Sequence, residues 1–547
     1  MAEYAIGLDY GTNSARAIVV DCADGTILGS HVYGYAHGEM GVMGDPKDPN
    51  VARQHPADYL EGLELTVKGA LAAADIDVGQ VVGMGVDATA STPIPVDENG
   101  DALALMETFN DHPAAMAWLW KDHTSDGEAN EITEKARAMR PAYLAKCGGT
   151  YSSEWYWSKV LRCARTAPEV YDAAYTWIEL PDWIPFVLTG NQVRCLCAAG
   201  HKGLYSPEWN GFADAAFLGA VDPCLVRIRE TLPDEAHHIG KAAGALTAAW
   251  AEKLGLPEGI PVAVGTIDAH AGAVGSGVKP GTMVKIIGTS TCDIAVASLD
   301  AQLPDIPGIC GVAHESVLPG CYGLEAGQSA VGDIFNWFVH KVEPGNGALH
   351  DQLGEEALAL KPGESGLLAL DWENGNRSTL TDPKLMGLIL GLSLHTSPAE
   401  IFRALVEATA FGARVIIERY KEYGVPIERV INCGGIALKS PLTMQTYADV
   451  LGCSMEISAN EQSCALGAAM AGSVVGGVYP NFGEASEAMT GVMDRVYEPI
   501  PEHQVVYDRL FGLYKKLHDL FGTREYAENQ FGLMKELINI REEVRNG

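Results

Sequence analysis

The sequence predicts an α/β protein of two similar domains, each a mixed sheet flanked by helices, arranged around a central cleft. The main evidence is a pair of turns rich in glycine and hydroxyl residues, at 7–14 and 285–291, each of which follows an apolar run. The turns lie almost half a chain apart in 547 residues, as an internal duplication would leave them. Glycine lets the backbone approach a ligand closely, and the neighbouring Thr, Asn and Ser residues offer hydroxyls and amides. Two such turns facing each other could hold the phosphates of one nucleotide.

The first half begins with the pattern of a β-meander around the first turn. Apolar runs predict three successive strands, which are joined by this turn and by a tight turn at Asp24 and Gly25. This start is typical of an actin-like or ribonuclease-H-like domain. The predicted strands lie at 4–9, 15–21, 27–35, 81–86 and 261–265, and the predicted helices lie at 56–73 and 180–188.

The second half repeats this order of elements. Ser397 is the expected N-cap of a helix, with Pro398 at the first helical position and Glu400 three residues after the cap. Glycines between 275 and 281 separate the halves, so we predict domains at 1–277 and 278–547. The predicted strands of this half lie at 282–288, 292–297 and 429–433, and its helices lie at 398–416, 441–451, 464–479 and 503–544.

Composition restricts the partners of the chain. A net charge of −33 and an isoelectric point near 4.7 argue against nucleic acid or an anionic membrane as the main partner. They do not exclude ATP, because a phosphate pocket needs local amides and a metal rather than overall positive charge. The 12 cysteines lack zinc-site spacing and are expected to be free, buried thiols. The sequence shows no basic leader and no apolar run of about 18 residues, so we expect a cytoplasmic protein.

Two aspartates stand at the carboxyl ends of predicted strands, where ligands collect in open α/β sheets. Asp9 directly precedes the first turn, where a carboxylate would repel phosphate unless Mg²⁺ bridged the two. The alternative is that Asp9 caps its own turn. Asp268 follows the strand at 261–265 and begins a helix. Phosphoryl transfer to a sugar hydroxyl needs a base that takes the proton, and Asp268 is the candidate; a helix-capping role could hold at the same time.

Four further residues are candidates for substrate contacts. Trp120 and Asp122 belong to an unusual polar cluster with an aromatic platform, although a single Trp more often lies in a core. Lys202 and Glu325 each lie in a predicted turn flanked by glycines. Isolated charges of this kind are usually solvated, but their position in turns favours a contact with substrate.

A nucleotide would have to bind without the common motifs. The GxGxxA match at 83–88 lies inside a predicted strand and runs into Pro93 rather than a helix, so it does not indicate a dinucleotide site. The P-loop and the protein-kinase motifs are absent from the sequence. Gly434 and Gly435 precede a helix start and could let a flat base pack against the backbone, although Gly-Gly turns are common.

Together these residues resemble the FGGY carbohydrate kinases over essentially the whole chain. The stretch at 434–445 is similar to the second signature of that family and is highly specific. The resemblance implies two actin-like domains around a deep cleft, with sugar on the N-terminal lobe and ATP mostly on the C-terminal lobe. The other matching segments lie at 9–16, 120–124, 265–270 and 288–290.

The resemblance also implies roles for individual residues. Asp268 would be the catalytic base, and Asp9 together with Asp268 would be linked to Mg²⁺. The residues expected to contact ATP are Gly11, Thr12, Asn13, Ser14, Arg16, Gly288, Thr289, Ser290, Gly332, Asn336, Gly434, Gly435 and Lys439. The residues expected to contact the sugar are Ala88, Thr89, Trp120, Asp122, Lys202, Asp268 and Glu325.

The segment at 86–92 separates members of this family. Xylulokinases resemble Gln-Met-His here and glycerol kinases Arg-Glu, whereas this chain has Asp-Ala-Thr-Ala-Ser-Thr after Val86 and is similar to the members that phosphorylate L-ribulose. The implied reaction is ATP-dependent phosphorylation of L-ribulose, and of D-ribulose, at the C5 hydroxyl, in L-arabinose catabolism. The alternatives are a xylulokinase-like sugar kinase, an actin-like or chaperone-like ATPase, and a sugar-responsive regulator without catalysis. The C-terminal helices could contact a protein partner or a second copy in a homodimer.

Overall fold

The computed structural model describes residues 2–524, 526–528 and 532–546, and each half of the chain forms a central mixed sheet with helices packed against it. The strands of the first half are β1 (Tyr4–Tyr10), β2 (Ser14–Asp21), β3 (Ile27–Gly34), β4 (Met43–Asp45), β5 (Asp48–Gln54), β6 (Val81–Ala88), β7 (Pro93–Val96), β8 (Ala117–Trp118), β9 (Thr176–Glu179), β10 (Tyr205–Ser206), β11 (Gly211–Phe212), β12 (Ala242–Ala245), β13 (Pro261–Ala263) and β14 (Thr266–Ile267). Its helices are α1 (Pro56–Ala74), α2 (Asp126–Met139), α3 (Pro141–Ala145), α4 (Tyr156–Thr166), α5 (Pro168–Ala173), α6 (Leu180–Thr189), α7 (Leu196–Lys202), α8 (Ala215–Val221), α9 (Cys224–Thr231), α10 (Ala248–Leu254) and α11 (Asp268–Gly275).

The second half is likewise built of strands and helices. Its strands are β15 (Gly281–Ile287), β16 (Thr291–Ser298), β17 (Gly311–His314), β18 (Cys321–Ala326), β19 (Leu368–Leu370), β20 (Leu388–Leu390), β21 (Ile427–Cys433) and β22 (Met455–Ile457). Its helices are α12 (Gly332–Trp337), α13 (Gly347–Ala359), α14 (Pro398–Glu422), α15 (Gly435–Lys439), α16 (Pro441–Leu451), α17 (Ser463–Val475), α18 (Phe482–Met489), α19 (Pro501–Gly522) and α20 (Leu533–Asn546).

The two central sheets share an arrangement of five strands. The first has the order β12-β13-β6-β1-β2-β3, with β14 also paired to β6, and the second has the order β17-β18-β16-β15-β21-β22, so the extra strands β12 and β17 lie at opposite edges of the shared five. In each sheet the strand before the predicted phosphate turn (11–14 in the first half, 288–290 in the second) is antiparallel to the strand after the turn and parallel to a later strand: β1 pairs with β2 and β6, and β15 pairs with β16 and β21. The predicted fold class, with two related mixed-sheet halves, is therefore confirmed.

Two helices that consist largely of small residues join the halves. α11 and α17 pack so closely that a Cβ added at Gly275 would lie 2.0 Å from the Ser463 carbonyl oxygen, and one at Gly467 would lie 1.9 Å from that of Ala271. Only hydrogen at these positions allows the backbones to approach this far. Because α17 belongs to the second half and α11 to the first, this contact joins the two halves. The division at 277/278 stays a proposal.

Helix α17 also covers the first sheet, and this explains the glycines of β6. A Cβ at Gly83 would lie 2.0 Å from the Gly472 carbonyl oxygen, and one at Gly85 would lie 1.9 Å from that of Ala468. The GxGxxA match at 83–88 thus lies inside β6, as predicted, and its glycines serve helix packing.

The element predictions are largely confirmed, with one correction. α14 begins with the predicted capping box, in which Ser397 and Glu400 cap each other's backbone amides. The helix predicted at 503–544 is instead two helices, because α19 ends at Gly522 and Thr523 is extended; residues 525 and 529–531 of this prediction lie outside the described residues. All 12 cysteines, each within the described part of the chain, are free thiols. Among the described helices, none combines the length and the apolar character needed to cross a membrane.

Candidate active site

Three carboxylates meet at the carboxyl edge of the first sheet. Asp9 near the end of β1 lies in parallel register with Asp87 of β6, and Thr266 of β14 pairs with Asp87 on the other side. Asp268 follows β14 directly and begins α11. The structure therefore brings the two predicted aspartates together, and it adds Asp87, which the sequence did not single out.

The electrostatics of this edge suit proton transfer at neutral pH. Burial, followed by the negative charge of Asp9, raises the pKa of Asp268 to about 7. Burial also raises the pKa of Asp9, although Arg16, whose guanidinium lies 3.5 Å from Asp9 Oδ2, opposes this effect. A general base works best when its pKa lies near the working pH. The Asp268 carboxylate accepts a hydrogen bond from the Ala269 amide at 2.6 Å, so it is held at the start of its helix.

The same carboxylates fit a hard divalent cation. Mg²⁺ prefers oxygen ligands and takes few of them from protein, which the exposed side of Asp9 and Asp268 can supply. Arg16 is the one cation that contacts Asp9 among the described residues, so the cluster keeps a negative charge. The residues present therefore fit Mg²⁺.

The first predicted phosphate turn is stabilised by a backbone hydrogen bond within the turn and by one from Trp120. The Gly11 amide donates to the Ser14 carbonyl at 3.0 Å, and the Trp120 indole N–H donates to Thr12 Oγ1 at 3.1 Å. Trp120 is 39% exposed, so it lies beside the turn and not in the core. The Asn13 side-chain amide donates to a backbone carbonyl at 2.6 Å and is exposed.

The second phosphate turn is built in the same way. The Gly288 amide donates to the Ser290 carbonyl at 2.9 Å, and the Thr289 carbonyl accepts from the amides of Val331 and Asp333 at the start of α12. Gly332 packs directly on this turn, because a Cβ there would lie 2.6 Å from the Gly288 carbonyl oxygen. Gly332 therefore supports the turn, whereas Asn336, one turn further along α12, is exposed.

The glycine pair after β21 lies beside this second turn. Gly434 has a φ of 97°, in the region that favours glycine, and a Cβ there would lie 2.4 Å from the Ile287 carbonyl oxygen. No atom lies within 4 Å of a Cβ added at Gly435, so the backbone at the start of α15 is open. Lys439 ends α15 and is exposed. This arrangement leaves an exposed, side-chain-free surface on which a flat base can lie.

Lys202 and Glu325 form a buried ion pair that joins the two halves. The Lys202 Nζ lies 3.0 Å from both carboxylate oxygens of Glu325, and Arg377 contacts the same carboxylate. Burial alone would raise the pKa of Glu325, but Lys202 and Arg377 hold it well below its ordinary value. The predicted positions in turns are wrong, because Lys202 ends α7 and Glu325 lies on β18, and their bond is possible because α7 packs on the edge of the second sheet. Their contact with substrate stays a prediction.

Two histidines line the other side of this carboxylate. His201 Nδ1 and His270 Nε2 lie 3.8 Å and 3.6 Å from Glu325 Oε2, and the two rings stack at 4.7 Å. Burial lowers the pKa of His270 to about 4 and that of His201 well below its ordinary value, so both are neutral. These three side chains have the composition of a metal site. Lys202 and Arg377 already compensate Glu325, so a divalent cation would be repelled here and we assign none.

Asp122 does not reach the cleft. It is fully buried; its Oδ2 accepts from the Ala52 amide at 2.7 Å and pairs with Arg53, and its Oδ1 accepts from the Thr124 hydroxyl at 2.6 Å. With both oxygens engaged, it anchors the segment that carries Trp120. Asp122 therefore has a structural role, and its direct contact with sugar stays a prediction that these internal bonds do not support.

Ala88 and Thr89 lie at the end of β6 and are nearly inaccessible. Ala88 is 0% and Thr89 1% exposed, and the Thr89 hydroxyl lies 3.0 Å from that of Thr92. Lys159 holds the segment at 88–92 in place. Its Nζ donates to the Ser91 carbonyl at 2.5 Å and to the carbonyls of Trp118 and Leu119, which precede Trp120. A sugar in contact with this segment would therefore meet a rigid surface.

Several residues of the site escaped the sequence analysis. Asp87 could have been noticed as a charge inside an otherwise apolar strand. Lys159, His201, His270 and Arg377 carry no comparable signal, because their partners are distant in sequence.

Comparisons with known proteins identify the family of this chain. Residues 4–275 match the N-terminal domain, and residues 283–475 the C-terminal domain, of the FGGY family of carbohydrate kinases. The chain is 41% identical to a ribulokinase of Shouchella clausii, over 100% of this chain and 99% of the relative, and 42% identical to a ribulokinase of Halalkalibacterium halodurans, over 95% of each. The crystal structure of a xylulose kinase from Rhodospirillum rubrum is similar with a TM-score of 0.78 and 26% identity, over 95% of this chain and 100% of that one. The chain belongs to the FGGY family of carbohydrate kinases.

Proposed function

We propose that this protein is an ATP-dependent ribulokinase, which transfers the γ-phosphoryl group of ATP to the C5 hydroxyl of L-ribulose and of D-ribulose. The observation that carries the proposal is the position of Asp268. Its carboxyl has a pKa of about 7 and is influenced by Asp9 at the first phosphate turn and by the Lys202–Glu325 pair. A base that lies between a phosphate turn and a pair of polar side chains is suited to activate a sugar hydroxyl.

In the proposed reaction, Asp268 accepts the proton of the sugar C5 hydroxyl while the oxygen attacks the γ-phosphorus. The bond between this phosphorus and the bridging oxygen breaks, and ADP leaves with the electron pair. The backbone amides of the turns at 11–14 and 288–290 orient the phosphates. Asp9, with Asp268, would hold Mg²⁺, which when bound neutralises charge on the phosphoryl oxygens. Closure of the two halves would exclude water and so limit ATP hydrolysis.

The sugar is held, in this proposal, by Lys202 and Glu325 and by the rigid segment at 88–92. A buried ion pair with fixed geometry offers both a hydrogen-bond donor and an acceptor to sugar hydroxyls. The relatives named ribulokinase match over the full chain, and this supports ribulose over xylulose as the substrate. The step would belong to L-arabinose catabolism and would take place in the cytoplasm, where ATP is available. A homodimer stays a prediction that light scattering coupled to size exclusion tests.

Product analysis tests the chemistry of this proposal. Purified enzyme is incubated with Mg·ATP and L-ribulose, and the product is examined by phosphorus–proton correlation NMR. We expect one phosphate ester, coupled to the two C5 protons. A phosphate at C1, or release of inorganic phosphate without an ester, would contradict the proposal. Asp268→Asn serves as the control, because it leaves the site intact and removes the base.

A further inference from the structure

The buried side chain of Gln54 is bonded to the first predicted phosphate turn. Gln54 ends β5 and is 1% exposed. Its Nε2 donates to the Thr12 carbonyl at 2.7 Å, and its Oε1 accepts from the Tyr59 hydroxyl at 2.7 Å. A carbonyl can only accept, so the nitrogen of the Gln54 amide must face Thr12 and its oxygen must face Tyr59. The Tyr59 hydroxyl therefore keeps the donating end of Gln54 directed at the turn.

A second donor carried by the same small sheet also reaches Thr12. Gln54 of β5 pairs with Ala117 of β8, and Trp120 follows β8 by two residues. The Trp120 indole N–H donates to Thr12 Oγ1 at 3.1 Å. The carbonyl and the hydroxyl of Thr12 are thus both bonded to side chains whose positions depend on the pairing of β5 with β8.

The bond to the Thr12 carbonyl determines where the next backbone amide points. The chain has no cis peptide within its described residues, and in a planar trans peptide the C=O and the N–H point in opposite directions. Because the Thr12 carbonyl points to the buried Gln54, the N–H of Asn13 points outwards, where Asn13 is exposed. This N–H has no acceptor among the described residues, whereas the Asn13 side-chain amide donates to the Met40 carbonyl at 2.6 Å.

The orientation of this peptide decides which charge the turn presents to a phosphate. With the Thr12 carbonyl held by Gln54, the turn presents the N–H of Asn13, and such N–H groups bind anions. Without Gln54 the peptide between Thr12 and Asn13 can rotate and present its carbonyl oxygen instead. The partial negative charge of that oxygen would repel a phosphate.

We propose that Gln54 is a positioning residue for nucleotide binding, which keeps the peptide between Thr12 and Asn13 turned so that the Asn13 amide donates to a terminal phosphate of ATP. The inference rests on the proposed function, since it assumes that this turn binds phosphates. The terminal phosphates are the ones concerned because the turn follows Asp9, which lies at the same sheet edge as the proposed base Asp268. A hydrogen bond to a charged group changes a binding constant by about 10-fold to 100-fold.

Two ligands that differ only in their phosphates test this role. Gln54→Met keeps approximately the length of the side chain and removes both its donor and its acceptor. Binding of a non-hydrolysable Mg·ATP analogue is measured by calorimetry, and binding of AMP by ligand-observed NMR, both without sugar. We expect Gln54→Met to bind the analogue at least about 10-fold more weakly than the native protein does and to bind AMP within about twofold of native. A merely structural role would weaken both ligands or neither.

Two further variants complete the comparison. Tyr59→Phe removes only the hydroxyl that directs the Gln54 amide, and it should weaken the analogue selectively but less than Gln54→Met does. Asn191→Leu is the matched control, because the Asn191 side-chain amide also donates to a backbone carbonyl of the first half, that of Ala243, and it should bind both ligands as the native protein does. Thermal unfolding shows which variants fold. If Gln54→Met does not fold, Tyr59→Phe and Gln54→Ala replace it.

Three results would overturn the inference. The first is native affinity of Gln54→Met for the analogue, and the second is an equal loss of affinity for the analogue and for AMP. The third is an equal selective loss in Asn191→Leu, or a native protein that binds the analogue no more tightly than AMP. If the native protein binds the analogue tightly but phosphorylates no ribulose, the proposed function fails, and a selective loss in Gln54→Met would still support the role of Gln54.

Discussion

At the scale of single residues, the proposed chemistry depends on the burial and the neighbours of three carboxylates at one edge of the first sheet. Asp9, Asp87 and Asp268 are chemically alike, but their exposure and their neighbours differ. Asp87 is fully buried, Asp9 has Arg16 beside it, and Asp268 begins a helix next to the cleft. Environments that separate the pKa values of neighbouring acids are how enzymes divide acid, base and metal-binding roles.

Asp268→Asn should remove the base and little else. We expect kcat to fall by about 10²-fold to 10⁴-fold, the usual contribution of a general base. ATP binding, measured by calorimetry, should stay close to native, and so should the melting temperature. A variant that keeps most of its turnover would remove Asp268 from the mechanism, and a large loss of stability would favour a capping role.

The raised pKa of Asp268 also predicts the pH dependence of activity. The base must be ionised to accept a proton, so kcat/KM for ribulose should fall as the pH drops through about 7, the pKa of Asp268 in the free enzyme. For stability the sign is opposite: because folding raises the pKa of this acid from 3.8, its contribution is present at low pH and is lost as the pH rises towards 7. Initial rates over about pH 5 to pH 9 test the first point. A flat profile would contradict it.

The sequence indicated some of these residues and missed others for physical reasons. Asp9 and Asp268 were predictable, because each stands where a strand gives way to a turn or helix. Lys202 and Glu325 were selected as two separate turn residues, and neither their burial nor their pairing was foreseen, since both depend on a contact between residues 123 positions apart. Asp122 shows the converse case. Its polar neighbours in the sequence suggested a contact with sugar, but in the structure its carboxylate oxygens accept hydrogen bonds from other groups of the protein.

At the scale of elements, helix-to-sheet contacts set the geometry of the cleft. α7 brings Lys202 against β18, and α17 lies flat on β1 and β6 because these strands carry glycine where it passes. The predicted strands and helices agree well with the structure because their apolar spacing and caps are local. Which helix crosses which strand is not local, so the packing role of the glycines in β6 could not be predicted.

Lys202→Met should both destabilise the protein and impair sugar binding. Removing one partner of a buried ion pair leaves an uncompensated charge and costs about 3–5 kcal/mol; Arg377 retains a contact with Glu325, so we expect the lower end of this range. KM for ribulose should rise while ATP binding changes little. Lys68→Met is the matched control, because Lys68 pairs with Glu64 on an exposed helix face, and such pairs contribute less than about 1 kcal/mol. Chemical unfolding measures the loss in the free energy of unfolding, and initial rates measure KM for ribulose. Equally small changes of these two quantities in Lys202→Met and Lys68→Met would contradict this prediction.

Gly85→Ala tests the contact between β6 and α17. The added Cβ would lie 1.9 Å from the Ala468 carbonyl oxygen, so either the helix or the strand must move. We expect a loss of at least about 3 kcal/mol in the free energy of unfolding, beyond the usual cost of overpacking. Gly127→Ala in α2 is the control: nothing lies within 4 Å of its added Cβ, and alanine should stabilise this helix by about 0.5–1 kcal/mol. Native-like stability of Gly85→Ala would mean that the contact is looser than the structure shows.

At the scale of the whole molecule, the duplicated fold supports the proposal that one nucleotide is held from two sides. The two sheets place equivalent turns, at 11–14 and 288–290, at the same point of a shared arrangement of central strands. The halves are joined by the contact of α11 with α17 and by the pair of Lys202 and Glu325. This architecture was predictable, because the repeat of the turn pattern is visible in the sequence. The proposed sugar side was not, because it depends on a long-range pair, Lys202 on α7 and Glu325 on β18, that no repeat in the sequence indicates.

The most direct test of the proposed function is ADP release in a coupled assay with Mg·ATP, run with L-ribulose, D-ribulose, D-xylulose, glycerol and no sugar. We predict fast turnover with the two ribuloses and a silent reaction without sugar. Preferred turnover of D-xylulose or glycerol would keep the fold and the base but contradict the assigned substrate. Equal ADP release with and without sugar would identify an ATPase and would contradict the central claim.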